Sequence, residues 1–182
     1  MNALADKEIV LGVSGGIAAY KSAVLCSQLV QQGAGVTVVM TANARRFVGE
    51  ITFSTLTGRA VYTDLWSSSS EFNPCHIRLS RQANLVVVAP ATANIIAKMF
   101  NGICDDLLST LLCSAGGDVL LAPAMNPRMW QNPITQRNIT GLREMGCHIA
   151  GPVSGRLACG DEGPGRMAEP EDILQRIVEL LS

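Results

Sequence analysis

Three stretches of the 182-residue chain set reactive or ligand-holding side chains among turn residues. The first runs from Val10 to Ser22, VLGVSGGIAAYKS, where small apolar residues stop at Ser14-Gly15-Gly16 and a helix-like pattern follows. A strand ending in glycines at a helix start offers backbone N–H groups to an anion, and the helix dipole favours a phosphate there. The second is CHIRLS, in which His76, one of two histidines, can exchange protons near neutral pH. Taken alone, His76 serves equally well as a polar residue at a helix start. The third is RLACGDEGPGRM, a glycine-rich loop that holds Cys159. A thiol on a loop free to close over a ligand can act as an acid, although most free cysteines are buried and inert.

The glycines narrow the anion. Gly12, Gly15 and Gly16 do not fit the G-x-G-x-x-G spacing that cradles a pyrophosphate. At the end of the second expected strand, where a NAD site carries Asp or Glu for the ribose, stand Met40 and Thr41. Arg45 and Arg46 follow and are of the type that meets an NADP phosphate, so this position argues against NAD more strongly than against NADP. The pattern favours a mononucleotide whose single phosphate is held by N–H groups and hydroxyls at a helix N-terminus. Flavin mononucleotide suits the apolar, aliphatic surroundings.

The elements that must position these residues alternate along the chain. EIVLGV, GVTVVMT, ANLVVVAP, DVLLAPAM and the short CHIAGP read as strands, and AVYTDLW as a weaker one. Helical patterns fall on GIAAYKSAVLCSQLVQQG, ITFSTLTG, ATANIIAKMFNG, DDLLSTLLCSAG, NPITQRNITGLREMG and EPEDILQRIVELL, with Pro170 near the last N-terminus. SSSSEFNP reads as a polar loop and GRLACGDEGPGRM as an irregular one. Alternating βα units predict a parallel sheet with helices on both faces, as one domain over residues 1–182. Open sheets of this kind bind ligands beyond the carboxyl ends of their strands. Four such ends carry polar or turn residues: Ser14-Gly15-Gly16, Met40-Thr41, Pro90-Ala91-Thr92-Ala93-Asn94 and Pro123-Ala124-Met125-Asn126. Any one of them is ordinary turn chemistry; four on one edge make a site.

Composition removes several function classes. The formal net charge is −1, so no global basic field recruits nucleic acid. Hydrophobic residues make up 48% and aromatics 4%, which suits packed α/β layers. The first residues lack the basic and apolar regions of a signal peptide, and no apolar run reaches membrane-spanning length. The six cysteines are scattered, with no CxxC pair and no metal-ligand spacing, which points to a reducing cytoplasm. Cys26, Cys104 and Cys113 fall on helical patterns and read as core, and Cys147 as structural; Cys75 is ambiguous.

Four motifs in order, GVSGGIAAYK, APATAN, PAMNPRMW and ACGDEGPGRMAEP, resemble the flavin-dependent cysteine decarboxylase family over nearly the whole chain. The resemblance is strongest to members acting on phosphopantothenoylcysteine in coenzyme A biosynthesis. It implies a single-domain, doubly wound fold (Rossmann-like, flavodoxin-like) with a glycine-rich substrate flap at about residues 152–168. It implies FMN as cofactor, bound by Gly15, Gly16, Ile17, Thr41, Thr92, Ala93, Asn94 and Ala124. The reaction implied is oxidation of the cysteine moiety to a thioaldehyde, loss of CO2, and re-reduction of the enethiolate to 4'-phosphopantetheine. His76 matches the family's active-site histidine, and Cys159 its acid. Asn126 would hold the substrate carboxylate without a charge that stabilises it against leaving, and Met129 would stand near the substrate. His148, in GCHIAGP, reads as structural. The family also implies a homo-oligomer, a trimer or a dodecamer of trimers, with FMN near the subunit contact. A fused or separate phosphopantothenate-cysteine ligase is the expected partner.

Three other functions compete. An oxidative decarboxylase of a C-terminal peptidyl cysteine would need no reductive half, and ACGD argues for the full cycle. A flavin prenyltransferase is not expected to combine PAMNxxMW with ACGD. A flavodoxin-like electron carrier is usually strongly acidic and would have no use for His76, Asn126 and Cys159.

Overall fold

The protein is described from a computed structural model, which covers residues 3–66, 75–115, 118–158 and 160–182. Five strands form a sheet: β1 (Glu8–Val13), β2 (Gly35–Met40), β3 (Leu85–Ala91), β4 (Asp118–Pro123) and β5 (His148–Ile149). Their order is β2-β1-β3-β4-β5, and every pairing is parallel. This is the doubly wound arrangement expected, in its flavodoxin-like order.

The sequence explains the layers. Strands covered on both faces need apolar residues at every position, and period two divides them between faces. Ile9, Leu11 and Val13 of β1, with Leu85, Val87 and Ala89 of β3, enter one core. Val10, Val86 and Val88 enter the other. The first core is closed by α1 (Ala19–Gln31), α2 (Glu50–Thr57) and α8 (Pro170–Leu181). The second is closed by α3 (Cys75–Gln82), α4 (Ala93–Asn101), α5 (Leu107–Ser114) and α7 (Pro133–Glu144). A short α6 (Pro127–Trp130) and an antiparallel hairpin, β6 (Val153–Arg156) and β7 (Glu162–Arg166), complete the described strands and α-helices, and a 3-10 turn spans Ala44–Arg46.

Several local expectations change. The weak strand at residues 60–66 contracts to one bridge, Val39 with Tyr62, beside β2 at the sheet edge. The glycine-rich loop expected to be irregular is the β6–β7 hairpin. Its glycines masked the strand signal, yet they permit the backbone: Gly165 sits at φ 136°, and a Cβ there would strike the Met125 carbonyl. Residues 127–130 form their own helical turn ahead of the expected α7, because Asn126 caps it and Pro127 starts it. Cys26 is buried as expected, and burial pushes its thiol up to about 11. Cys104 and Cys113 are exposed instead: Cys104 lies in the loop between α4 and α5, and Cys113 on the outer side of α5. The polar loop expected at SSSSEFNP lies outside the described residues.

Candidate functional site

Ligand sites in open α/β sheets form where strand order reverses, here between β1 and β3. There Ser14 links the two strand ends. Its buried hydroxyl donates to the Pro90 carbonyl at 2.7 Å and accepts from the Thr92 N–H at 3.1 Å. Thr92 in turn caps α4, its Oγ1 accepting from Ile95 N–H. The loop into α1 lacks such a cap: Ala18 offers no side-chain acceptor, and the first turn holds no acidic residue. An uncapped helix start with a threonine and two glycines beside it is a donor set suited to one phosphate. Gly15 is required for a separate reason, since a Cβ there would run into Asn43 from the loop after β2.

A cleft of about 800 Å³ opens over these ends, within the size range of cofactor sites. Its walls include Gly15, Gly16, Ile17, Thr41, Thr92, Ala93, Asn94, Ala124, Asn126 and Met129. All ten cofactor- and substrate-binding positions expected from the sequence therefore line one cavity. Ile17, Met125, Leu157 and Met167 supply apolar surface for a flat ring, and the phosphate donors lie at the same edge. These residues fit a flavin mononucleotide.

Asn126, between β4 and α6, has both amide atoms engaged. Its Oδ1 accepts from the Arg128 N–H at 2.9 Å, and its Nδ2 donates to Asp161 Oδ2 at 3.0 Å. Asp161 belongs to the turn of the hairpin, where its carbonyl accepts from Leu157 N–H at 2.9 Å. The hairpin is docked on the same strand end, with Met125 N–H donating to the Gly165 carbonyl at 2.9 Å.

Two expected residues stand elsewhere. His76 is at the second position of α3, a helix packed on α5, and does not line the cleft of the single chain. Cys159 lies outside the described residues. His148, read as structural, has Nε2 3.5 Å from Asp118 Oδ1 at the far edge of the sheet. The thiol of Cys75, beside His76, is pushed up by burial against the opposing effect of Arg78.

Charged residues at and beside the cleft form pairs to which the sequence motifs assign no role. Lys21, from α1, donates to Glu169 at 2.9 Å, and Arg166 holds the other oxygen of the same carboxylate. The Lys21 hydrogen bond, seconded by Arg166, keeps the Glu169 carboxyl below its ordinary range. Lys98 bridges Asp105 at 2.6 Å and Asp106 at 2.7 Å. Burial alone would raise Asp106, but the bonds from Lys98 and Ser109 outweigh it and hold the carboxyl low. The signal for three of these was present, since Lys21 closes GVSGGIAAYK, and Arg166 and Glu169 sit in GRMAEP. Asp161 was equally visible as the last letter of ACGD.

The chain belongs to the Flavoprotein family, whose model matches residues 2–182. Among its relatives, the Coenzyme A biosynthesis bifunctional protein CoaBC of Vibrio parahaemolyticus is 47% identical over 174 residues, 96% of this chain and 44% of that protein. The CoaBC of Bacillus subtilis is 46% identical over 172 residues, 94% of this chain and 42% of the relative. The chain thus spans less than half the length of these curated relatives. A solved PPC decarboxylase mutant complexed with pantothenoylaminoethenethiol superposes with a TM-score of 0.87 at 35% identity, covering 96% of this chain and 97% of that one. The FMN binding protein AtHal3 superposes with a TM-score of 0.83 at 36% identity, covering 96% of each chain.

Proposed function

We propose that this chain is an FMN-dependent carboxy-lyase that converts phosphopantothenoylcysteine to phosphopantetheine in coenzyme A biosynthesis. The observation that carries the reading is one cleft at the β1/β3 crossover, lined by all ten expected cofactor and substrate positions. The CoaBC relatives and the match to a PPC decarboxylase support the substrate.

FMN, held against these walls, would supply the hydride-transfer chemistry that the reaction needs. The chain's own groups do the rest. Thr92 and the N–H groups at the start of α1 hold the cofactor phosphate, while Ser14 keeps the two strand ends together beneath it. Asn126 binds the carboxylate through a neutral N–H donor, so the ground state gains less than an ammonium or guanidinium would give it. Met129 packs beside the substrate, and residues 152–168 act as a flap that excludes water from it. Cys159 supplies the proton at its Sγ that the reductive half requires.

His76 completes the site as a proton-exchanging group, and its position outside the single-chain cleft favours a homo-oligomer in which a second copy presents it. The exposed apolar residues Ile17 and Tyr20, on the cleft itself, support a trimeric or dodecameric assembly closing there. The enzyme works in the cytoplasm, alongside a phosphopantothenate-cysteine ligase carried on the same or another chain. The longer CoaBC relatives support that partnership.

The test is a comparison of two substrates with the purified protein. Phosphopantothenoylcysteine should release CO2 catalytically, and a peptide ending in cysteine should not. The reverse preference would replace this reading with a peptidyl-cysteine decarboxylase.

A further inference from the structure

We propose that Cys104 and Cys113 form a dithiol site that closes to a reversible disulfide by exchange with small-molecule disulfides. Both residues are exposed, whereas Cys26 is buried and Cys75 and Cys147 are half-buried. Cys104 lies in the loop after α4, and Cys113 near the end of α5. One side chain brings that loop onto that helix. The Thr110 hydroxyl of α5 sits between two carbonyls, that of Asp106 at 2.7 Å and that of Cys104 at 3.3 Å. Cys113 is three residues beyond Thr110 and shares its face of the helix. Its Cα–Cβ bond tilts toward the helix N-terminus, and so toward Thr110 and the loop resting on it. The thiols of Cys104 and Cys113 meet there and interact.

The loop is pinned on one side of Cys104 and free on the other. After it, Lys98 bridges Asp105 and Asp106, and Asp106 caps α5 by accepting from the Ser109 N–H at 2.8 Å. Before it, Gly102 turns the chain at φ 67° with open space around its Cα. The contact of Cys104 Sγ with the Gly102 carbonyl, at 3.6 Å, is weak enough to give way. Residues 102–104 can therefore move to bring the sulfurs to the roughly 2 Å of a disulfide. The exchange runs in two steps. A Cys104 thiolate attacks one sulfur of a disulfide RSSR and releases RS⁻, leaving R bound to Cys104 through sulfur. Cys113 then gives up its proton and attacks the Cys104 sulfur, expelling the second RS⁻. The protein loses two thiol protons and two electrons, and RSSR becomes two RSH. Burial, and after it the Cys104 thiol, push Cys113 up to about 11, so no thiolate is stabilised there to hold the pair reduced. The same cause leaves the first attack to Cys104.

The test is to incubate the folded protein with glutathione disulfide, block the remaining thiols and digest it without reduction. A protease specific for aspartate cuts ahead of Asp105 and Asp106 and separates the two cysteines. Mass spectrometry should find their fragments joined, two hydrogens lighter than the separate pair, and dithiothreitol should part them. Cys113→Ser should stop at a single glutathione on Cys104, because the second attack is lost. Cys159→Ser, which removes the thiol of the other loop, should form the same bridge as the unaltered chain. Glutathione carried separately on Cys104 and Cys113, a bridge from either to another cysteine, both thiols unreacted, or a bridge that vanishes in Cys159→Ser overturns the proposal. The readout is independent of turnover, so it stands or falls apart from the decarboxylase reading.

Discussion

Asn126 joins helix capping and hairpin docking in one cleft-lining side chain, and the proposed function adds substrate recognition to it. Asn126→Asp keeps the cap acceptor but sets a second carboxylate against the substrate's, at a range where charges oppose binding by about 3 kcal/mol with an effective dielectric near 20. We expect turnover to fall by about a hundredfold or more while flavin absorbance is retained. Near-normal kcat/KM would remove Asn126 from the site. Cys159 permits a separate expectation about the reductive half. Serine nearly keeps the shape but is a much weaker acid than a thiol, whose reference pKa is about 8.5. Cys159→Ser should release CO2 once, leave the flavin bleached, and accumulate a product lighter by two hydrogens than phosphopantetheine. Stopped-flow absorbance and mass spectrometry of the quenched mixture would show both. Catalytic formation of the fully reduced thiol would assign the proton to another group. At this scale the sequence was most legible where a residue type has one outstanding talent, as in Gly15 or Asn126. Asp161 and Lys21 were passed over because isolated charges look like solvated surface until a partner from a distant segment appears.

Among the elements, the hairpin is where the sequence said least and the structure adds most. Alternating apolar residues announced β1, β3 and β4, whereas β6 and β7 are glycine-rich and short, and their pairing is set by docking on Met125 and Asn126. Docking continues into α8 through Glu169, which ties Lys21 of α1 to Arg166 of β7. Glu169 has its carboxyl lowered by the Lys21 hydrogen bond first and Arg166 second, so the sign of its contribution is set. The stabilisation is present above the ordinary carboxyl value of 4.5 and is lost as pH falls through the lowered value. Glu169→Gln should therefore lower the melting temperature near pH 7 by about 2–4 °C, on the order of 1 kcal/mol after allowance for solvent screening of the half-exposed carboxylate. The gap should close when both proteins are melted well below pH 4.5. A gap independent of pH would mean that the glutamate acts through packing alone.

For the whole molecule, the two-sided core and the parallel crossovers were readable because period-two apolar runs and 3.6-period helices leave few other arrangements. The edge of the sheet was less so: the expected strand at residues 60–66 survives only as the Val39–Tyr62 bridge. His76 does not line the cleft of the single chain, so its proposed part in the chemistry requires a second copy. A homo-oligomer gives a definite outcome. Light scattering should report a trimer or a multiple of it, and Tyr20→Glu, at an exposed apolar position on the cleft, should shift it toward smaller species with loss of turnover. Co-expression of His76→Asn with Asn126→Asp chains should restore part of the activity that either lacks alone. A fully active monomer would contradict this assembly.

On the proposed function, one cleft performs a complete cycle of oxidation, CO2 loss and re-reduction without an outside electron donor. Incubating the purified, flavin-loaded chain with phosphopantothenoylcysteine, with no added reductant, and following CO2 together with product mass tests it most directly. Many CO2 released per flavin and a product with the mass of phosphopantetheine are expected. One CO2 per flavin with a product two hydrogens lighter, or no CO2 at all, would contradict it.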